Sequence, residues 1–234
     1  MAQKKLERFA ALKTFPNVLE YPLEMPGKWQ AFFKNTNPVV LELACGRGEY
    51  TVGLAKLFPH QNFMGVDVKG NRMYIGAKKC LTEPVSNACF LRTQIEKITD
   101  YFTPGEVDEI WITFPDPQLR LSKAKKRLTH PRFLRLYQHI LKPGGFIHLK
   151  TDSPDLYLFT KQVAELYDLI IVEDSDNIYA EPLIKDELKI KTHYESLDIA
   201  QSKKIHYLKL TLPPILKNID EQLQKILTVD EKPD

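Results

Sequence analysis

The chain has 234 residues, of which 43% are hydrophobic and 27% charged. This composition excludes a disordered or collagen-like polymer, and the length fits one large domain with short appendages. No apolar run approaches the roughly 18 residues that a membrane span needs, and no apolar signal core follows the charged residues 1–8. We therefore expect a cytoplasmic protein that does not bind membranes.

The three cysteines, Cys45, Cys80 and Cys89, show no C-x-x-C spacing. Neither a disulfide framework nor a cysteine-based zinc site is supported, so we expect reduced and mostly buried thiols.

The net charge of +3 conceals an uneven distribution along the chain. Residues 117–151 contain nine basic residues and no acid, namely Arg120, Lys123, Lys125, Lys126, Arg127, Arg132, Arg135, Lys142 and Lys150. Solvated surfaces usually mix both signs, so this segment indicates an acidic partner such as a phosphate backbone. A surface loop that is merely soluble is the alternative.

Apolar runs alternate along the chain with segments of helical periodicity, a pattern that predicts a parallel sheet with helices on both faces. The seven predicted strands are Val39–Leu43, Asn62–Asp67, Ala88–Leu91, Val107–Thr113, Phe146–Leu149, Leu169–Glu173 and Ile205–Thr211. Predicted helices lie at Tyr50–Phe58, Asn71–Leu81, Ile95–Phe102, Pro131–Leu141 and Asp155–Tyr167. The Lys-Pro-Gly-Gly sequence at 142–145 predicts a turn into the fifth strand.

Three regions follow from this pattern. Residues 1–35 contain Pro16, Pro22, Pro26 and Gly27 and are predicted to form an extended N-terminal arm. Residues 36–212 form the domain, with a polar insertion at 174–201 between the last two strands. Residues 213–234 are a charged helical tail.

The first strand leads into Glu42-Leu-Ala-Cys-Gly46-Arg-Gly48 and then a helix. In this context a glycine loop lets a ligand approach the backbone at a helix N-terminus. Asp67 ends the second strand, 21 residues beyond Gly46, where a carboxylate can accept hydrogen bonds from both ribose hydroxyls of an adenosine. A tight turn with an ordinary strand-end aspartate is the alternative.

The loop favours S-adenosylmethionine over a dinucleotide. A dinucleotide loop has a third glycine where this chain has Thr51, and Ala44 occupies the place of the first glycine of the usual methyltransferase pattern. Glu42 would repel phosphates but can help to hold a cationic ligand. S-adenosylmethionine carries both a sulfonium and an ammonium group.

Asp116 follows the fourth predicted strand, between Pro115 and Pro117. Ligands of open α/β sheets bind beyond the carboxyl ends of the strands, so Asp116 should face the reactive end of the cofactor. Flanking prolines restrict the backbone and fix the direction of the carboxylate. The basic residues that follow place this acceptor beside a cationic surface, which suits a reaction on a base within a polyanion.

Two further motifs and one absence complete the pattern. Lys150-Thr-Asp152 brings another acid to the same edge, and Thr192-His-Tyr-Glu195 lies in the late insertion, where it could also be ordinary loop composition. The six histidines lack metal-ligand spacing, and no nucleophile elbow is present. Metal and acyl-transfer chemistry are therefore unsupported.

Over residues 36–210 the chain resembles the bacterial tRNA (guanine-N7-)-methyltransferases. The resemblance is carried by Phe114-Pro-Asp-Pro117, Lys126-Arg-Leu-Thr129 and Arg132-Phe-Leu134, followed by the Lys150-Thr-Asp152 and Thr192-x-Tyr-Glu195 motifs in the family's order. It implies a class I methyltransferase Rossmann-like α/β fold, with a mostly parallel seven-stranded sheet whose last strand is antiparallel. It also implies methyl transfer from S-adenosylmethionine to a guanine in the tRNA variable loop.

The resemblance implies a role for several individual residues. Asp116 would be catalytic and contact the cofactor together with Glu42, Gly46, Gly48, Asp67 and, more weakly, Gln94. The expected substrate-binding residues are Arg120, Asp152, Thr192, His193, Tyr194 and Glu195. The chain departs from the family at Gln118-Leu119, where Trp-Pro is usual, and at Gln94, which replaces an acid.

Two other functions fit parts of the sequence. A class I methyltransferase with a different substrate would bind the same cofactor, and an inactive RNA-binding protein could retain the same scaffold. The sequence leaves open whether the protein is a monomer or a homodimer.

Overall fold

In the computed structural model, which describes residues 2–83, 85–197, 199, 201 and 203–229, one mixed sheet carries the fold. Its strands are β1 (Val18–Glu20), β2 (Val39–Leu43), β3 (Asn62–Asp67), β4 (Ala88–Arg92), β5 (Val107–Thr113), β6 (Leu141–Thr151), β7 (Ile170–Ser175) and β8 (His206–Thr211). The α-helices are α1 (Ala2–Leu12), α2 (Trp29–Phe33), α3 (Glu49–Leu57), α4 (Gly70–Thr82), α5 (Pro131–Ile140), α6 (Pro154–Leu166), α7 (Asp186–Lys189) and α8 (Asp220–Val229). Short 3₁₀ helices lie at Ile95–Asp100, Leu121–Lys126, Ile178–Ala180 and Glu195–Leu197.

The strand order is β1-β4-β3-β2-β5-β6-β8-β7. In this order, all neighbouring strands between β1 and β6 pair in parallel, whereas β8 is antiparallel to both of its neighbours, β6 and β7. The predicted fold class, with its antiparallel last strand, is therefore confirmed. The sheet described here has eight strands rather than the predicted seven, because β1 adds to the edge formed by β4.

The sheet separates two apolar layers. On one face Leu41, Ile110 and Leu149 pack in a cluster that includes α5 and α6. On the other face Val40 and Phe63 pack in a cluster that includes α3 and α4. All five residues of β2 are buried, as expected for a central strand covered on both faces.

The N-terminal segment, predicted to be extended, forms α1, β1 and α2 instead. Trp29 is fully buried, stacks on Phe102 with a centroid separation of 5.4 Å, and donates its indole N–H to the Tyr101 carbonyl at 2.8 Å. Proline content indicated chain breaks in this segment, but it could not show that an indole ring would find a partner in the core.

The Lys-Pro-Gly-Gly sequence forms a bulge inside β6 rather than a turn before it. Val107 pairs with Leu141 and Glu109 with Phe146, so residues 142–145 oppose Asp108 alone. Gly144 adopts a φ of +78°, a conformation that glycine tolerates best. The Asp108 carboxylate accepts from the Lys142 ammonium at 2.5 Å and from the Val39 N–H at 2.8 Å, which ties the bulge to the start of β2.

All three cysteines are buried and free, as predicted. Among the described residues, no helix is long and apolar enough to cross a membrane.

Replacing Trp29 tests whether the N-terminal segment belongs to the core. We expect Trp29→Ala to lower the free energy of unfolding by about 3–5 kcal/mol, because a large buried side chain is lost and a cavity remains. Leu23, which is 66% exposed, provides the control, and Leu23→Ala should change stability by less than about 0.5 kcal/mol. Urea unfolding followed by circular dichroism measures both. Equal small effects would show that the segment is dispensable.

Candidate active site

The carboxyl ends of the parallel strands β2 to β6 lie at one edge of the sheet, where ligands of such folds bind. Residues predicted to be functional lie at the end of each strand at this edge: Gly46 and Gly48 after β2, Asp67 at the end of β3, Gln94 after β4, Asp116 after β5 and Asp152 after β6. The topology thus brings together residues separated by more than a hundred positions in the chain.

Backbone conformation explains the glycines of the loop after β2. Gly46 and Gly48 have φ values of +55° and +74°, and a β-carbon on Gly48 would lie 2.5 Å from Phe90 Cε1. Ala44 also has a positive φ, of +56°. A non-glycine residue in this region is strained by about 1–2 kcal/mol, which accounts for the glycine usual at this position in methyltransferase loops.

Asp67 holds the glycine loop in place. Its Oδ2 accepts from the Gly46 N–H at 2.9 Å and its Oδ1 from the Lys69 N–H at 2.8 Å. A carboxylate offers about four lone-pair sites, so Asp67 retains acceptor capacity for ribose hydroxyls while it orients the loop.

Glu42 is a buried carboxyl group beneath the same loop. Its Oε2 accepts from the Thr51 N–H at 2.7 Å and the Thr51 hydroxyl at 2.5 Å, and its Oε1 accepts from the Thr113 hydroxyl at 2.9 Å. Burial raises the pKa of Glu42 to about 7 despite these hydrogen bonds. A nearby cation would favour its charged form.

The chain turns sharply as it leaves β5. Phe114 has a φ of +47°, unusual for a bulky residue, and its N–H donates to the Lys150 carbonyl at 2.8 Å. Asp116 is exposed, and its Oδ1 accepts from the Gln118 N–H at 3.0 Å. Local hydrogen bonding therefore fixes the direction of Asp116 at the open edge.

Arg127 supports this loop from the protein interior. Although it belongs to the basic segment, it is buried, and its guanidinium donates to the carbonyls of Gln118 at 3.3 Å and Leu119 at 3.4 Å. The guanidinium carbon lies 4.4 Å from the centre of the Phe159 ring. Arg127 is therefore a structural residue, although its sequence context indicated a surface contact.

Partners from elsewhere in the chain neutralise other members of the basic segment. Arg132 pairs with Glu96 at 3.6 Å and Arg135 with Asp220 at 2.6 Å. Four exposed residues form no ion pair within the described part of the chain, and we call them the basic rim: Arg120, Lys123, Lys125 and Lys126.

Lys150 joins β6 to the late insertion. Its side chain is fully buried, and its ammonium donates to the carbonyls of Leu188 at 2.8 Å and Ile190 at 2.9 Å and to Glu195 Oε2 at 2.9 Å. Burial lowers the pKa of Lys150, and the Glu195 carboxylate opposes that change. The Tyr179 hydroxyl donates to Glu195 Oε1, so both oxygens of Glu195 have partners inside the protein.

The Thr192–Glu195 segment lies over the glycine loop. The Thr192 hydroxyl accepts from the Glu195 N–H at 3.1 Å, and the Tyr194 ring lies so close to Gly46 that a β-carbon there would be 3.9 Å from Cε2. The Arg72 guanidinium carbon lies 5.6 Å from the centre of the same ring, and His193 is half-buried beside it. The insertion therefore forms one wall of the site.

Sequence reasoning did not assign site roles to Thr51, Thr113, Lys150 or Tyr179. Lys150 had a signal in the sequence, because this charged residue directly follows the predicted strand Phe146–Leu149. Tyr179 had none, since an aromatic residue in a polar insertion does not reveal its partner. Among the described residues, no cluster of three or more His, Cys, Asp or Glu side chains could hold a metal ion.

The sheet has the strand order of the class I methyltransferase fold, and solved structures share this fold. The 16S rRNA methyltransferase KamB superposes with a TM-score of 0.62 at 15% identity, covering 80% of this chain and 93% of that one. The family model described as "Putative methyltransferase" matches residues 36–208.

Curated relatives identify the family more closely. The tRNA (guanine-N(7)-)-methyltransferase of Bacteroides thetaiotaomicron is 45% identical over 96% of this chain and 92% of its own. The enzyme of the same name from Porphyromonas gingivalis is 49% identical over 86% of each chain. The chain belongs to the tRNA (guanine-N7-)-methyltransferase family.

The buried Glu42 carboxyl group predicts a pH dependence of stability. Because its folded pKa is raised, its contribution to stability is present below about pH 4.5 and is lost as the pH rises through about 7. Without ligand, the melting temperature of the wild type should therefore fall by several degrees relative to Glu42→Gln between pH 5 and pH 8. Differential scanning calorimetry measures the difference. A constant difference across this range would show that Glu42 ionises normally.

Proposed function

We propose that this protein transfers a methyl group from S-adenosylmethionine to N7 of a guanine in the variable loop of tRNA. One observation carries the proposal: in a member of this family, the exposed Asp116 follows β5 at the sheet edge that also carries the glycine loop, and the basic rim begins four residues further along the chain. A cofactor held by the loop and an RNA held by the rim would meet at Asp116.

The residues of the edge fit S-adenosylmethionine. Asp67 has free acceptor capacity for the ribose, and Gly46 and Gly48 permit close approach to the backbone. The negative charge of Glu42 would complement the cationic methionine end of the cofactor. Gln94 is exposed directly after β4 and can accept a hydrogen bond from the adenine amino group.

Methyl transfer to N7 needs positioning more than proton abstraction. S-adenosylmethionine, held by the glycine loop, Asp67 and Glu42, would supply the methyl group from its sulfonium to N7, and the positive charge would pass from sulfur to the purine. The N7 lone pair lies in the ring plane, so no proton has to be removed first. Asp116 would accept hydrogen bonds from the guanine N–H groups and stabilise the developing charge.

The remaining site residues would bind the RNA. Arg120 belongs to the basic rim, and Asp152 follows β6 at the same edge. Thr192, His193 and Tyr194 form the wall above the glycine loop, where they would confine the guanosine. The division into segments 1–35, 36–212 and 213–234 stays a prediction, although the first segment packs on the domain through β1 and Trp29 instead of extending from it, and residues 230–234 lie outside the described residues.

Incubating the protein with labelled S-adenosylmethionine and unmodified bulk tRNA, followed by nucleoside analysis, tests the function. We expect 7-methylguanosine. Cofactor binding without labelled tRNA would indicate a methyltransferase with another substrate. Binding of tRNA without cofactor would indicate an inactive RNA-binding protein.

Replacing Asp116 tests its catalytic role. Asp116→Asn should lower kcat by about 100-fold or more at saturating substrates, because a charge-stabilising group is lost from the transition state. Asp100→Asn, at an exposed position outside the site, should retain wild-type kcat. Single-turnover measurements of 7-methylguanosine formation compare them. Full turnover by Asp116→Asn would contradict the assignment.

Replacing two residues of the basic rim tests RNA binding. Lys125→Ala combined with Lys126→Ala should weaken tRNA binding and reduce the slope of log K against log salt by about 1.4–1.8, because two phosphate contacts are lost. Lys161 and Lys217 already pair with Asp174 and Asp168 at 2.5 and 2.6 Å. Replacing these two with alanine is the matched control and should leave the slope unchanged. Equal slopes for all three proteins would exclude the rim as the RNA contact.

A further inference from the structure

The Lys150 side chain has no hydrogen-bonding capacity left for a substrate. A lysine ammonium has three N–H donors, and here they are directed to the carbonyls of Leu188 and Ile190 and to Glu195 Oε2, all within 2.9 Å. The cation also lies 5.3 Å from the centre of the Tyr50 ring and 5.7 Å from that of Phe114. Lys150 therefore cannot act on the RNA directly without losing an internal partner.

Glu195 is enclosed in the same way. Its side chain is only 4% exposed, and its two oxygens accept from Lys150 and from the Tyr179 hydroxyl. Its backbone N–H donates to the Thr192 hydroxyl. Because so little of this carboxylate is exposed, it is poorly placed to accept from a guanine base, although the residue belongs to the motif expected to bind one.

Lys150 connects the turn that leads to Asp116 with the Thr192–Glu195 segment. It contacts the turn through its backbone carbonyl and the segment through its ammonium group. Its backbone carbonyl accepts from the Phe114 N–H at 2.8 Å, at the start of the turn that directs Asp116. Its ammonium fixes the end of α7 and the Thr192–Glu195 segment, which lies over the glycine loop. A shift of this side chain would change the distance between the wall of the site and the loop that carries Asp116.

We propose that Lys150 is a positioning residue for methyl transfer, and that Glu195 acts with it rather than by contacting the guanine. The Lys150–Glu195 pair, steadied by Tyr179, holds Thr192, His193 and Tyr194 at the distance at which a guanosine lies in line with the cofactor methyl group. This inference rests on the proposed function.

The energetics of a buried ion pair distinguish a positioning role of Glu195 from a direct contact between Glu195 and the guanine. Removing either partner leaves the other charge buried and uncompensated, so each single substitution should be severe while the double substitution adds little. A direct contact from Glu195 to guanine would instead be independent of Lys150, and the two losses would multiply.

The test compares Lys150→Met, Glu195→Gln, their combination and Tyr179→Phe in the full-length protein. Lys185→Met, which removes the exposed ion pair to Glu173 at 2.6 Å in the same insertion, is the control. We measure S-adenosylmethionine binding by calorimetry, kcat and KM for tRNA methylation, and the rate of trypsin cleavage after Lys189 and Lys191, which all the variants and the control retain.

We expect each single variant of the pair to bind the cofactor within about threefold of wild type, since neither side chain belongs to the glycine loop. Their kcat should fall by about 100-fold, because this is the loss typical when the reacting groups are misplaced by about 1 Å. The double variant should be no slower than the slower single variant. Tyr179→Phe should lower kcat in the same direction by less, and cleavage of the insertion should accelerate in all four variants but not in Lys185→Met.

Three results would overturn the proposal: multiplicative losses in the double variant, a loss in Glu195→Gln without one in Lys150→Met, or an equal loss in Lys185→Met. If Lys150→Met fails to fold, a double-mutant cycle of Tyr179→Phe and Glu195→Gln gives the same test. Tyr179→Phe should leave the fold intact, because this residue is 42% exposed and loses only its hydroxyl group. A wild type that binds cofactor but forms no 7-methylguanosine would refute the proposed function instead.

Discussion

The buried ammonium of Lys150 is the interaction on which the candidate site depends most. A lysine in a central strand between two apolar layers loses its hydration and is tolerated only when every donor finds a partner. In this protein the partners come from the insertion between β7 and β8. Satisfying this buried charge ties a polar segment to β6 over the open edge, where the segment forms the second wall of the site.

Strained turns complete the edge on the opposite side. Ala44, Phe114 and Gln118 all have positive φ values, and all lie in the two loops that leave β2 and β5. Such conformations persist only where surrounding contacts enforce them. Asp67 supplies such contacts for the glycine loop, as Arg127 does for the loop that carries Asp116. Positioning thus comes from residues beneath the surface, while the exposed groups remain available to ligands.

The distribution of charge shows where sequence reasoning succeeds and where it stops. The excess of basic residues between 117 and 151 predicted a cationic surface, but only the four residues of the basic rim are exposed without an ion pair in the described part of the chain. Arg127 and Lys150 are buried, and Arg132 and Arg135 meet acids more than thirty residues away in the chain. A run of like charges in the sequence shows only which side chains are charged. Whether each of these side chains is exposed depends on which helices and strands pack against it.

The sequence by itself determined seven of the eight strands of the described sheet in chain order, the antiparallel last strand through its family resemblance, and the identity of the candidate site residues that follow each parallel strand. Periodicity and loop residues are local properties, and parallel strands always bring their carboxyl ends to one edge. Only the tertiary structure decided that the N-terminal segment completes the core through Trp29 and that β1 extends the sheet. It also decided that Glu195 is held inside the protein by Lys150 and Tyr179. These outcomes depend on partners distant in the chain, because a buried polar group is defined by its three-dimensional neighbours and not by its neighbours in sequence.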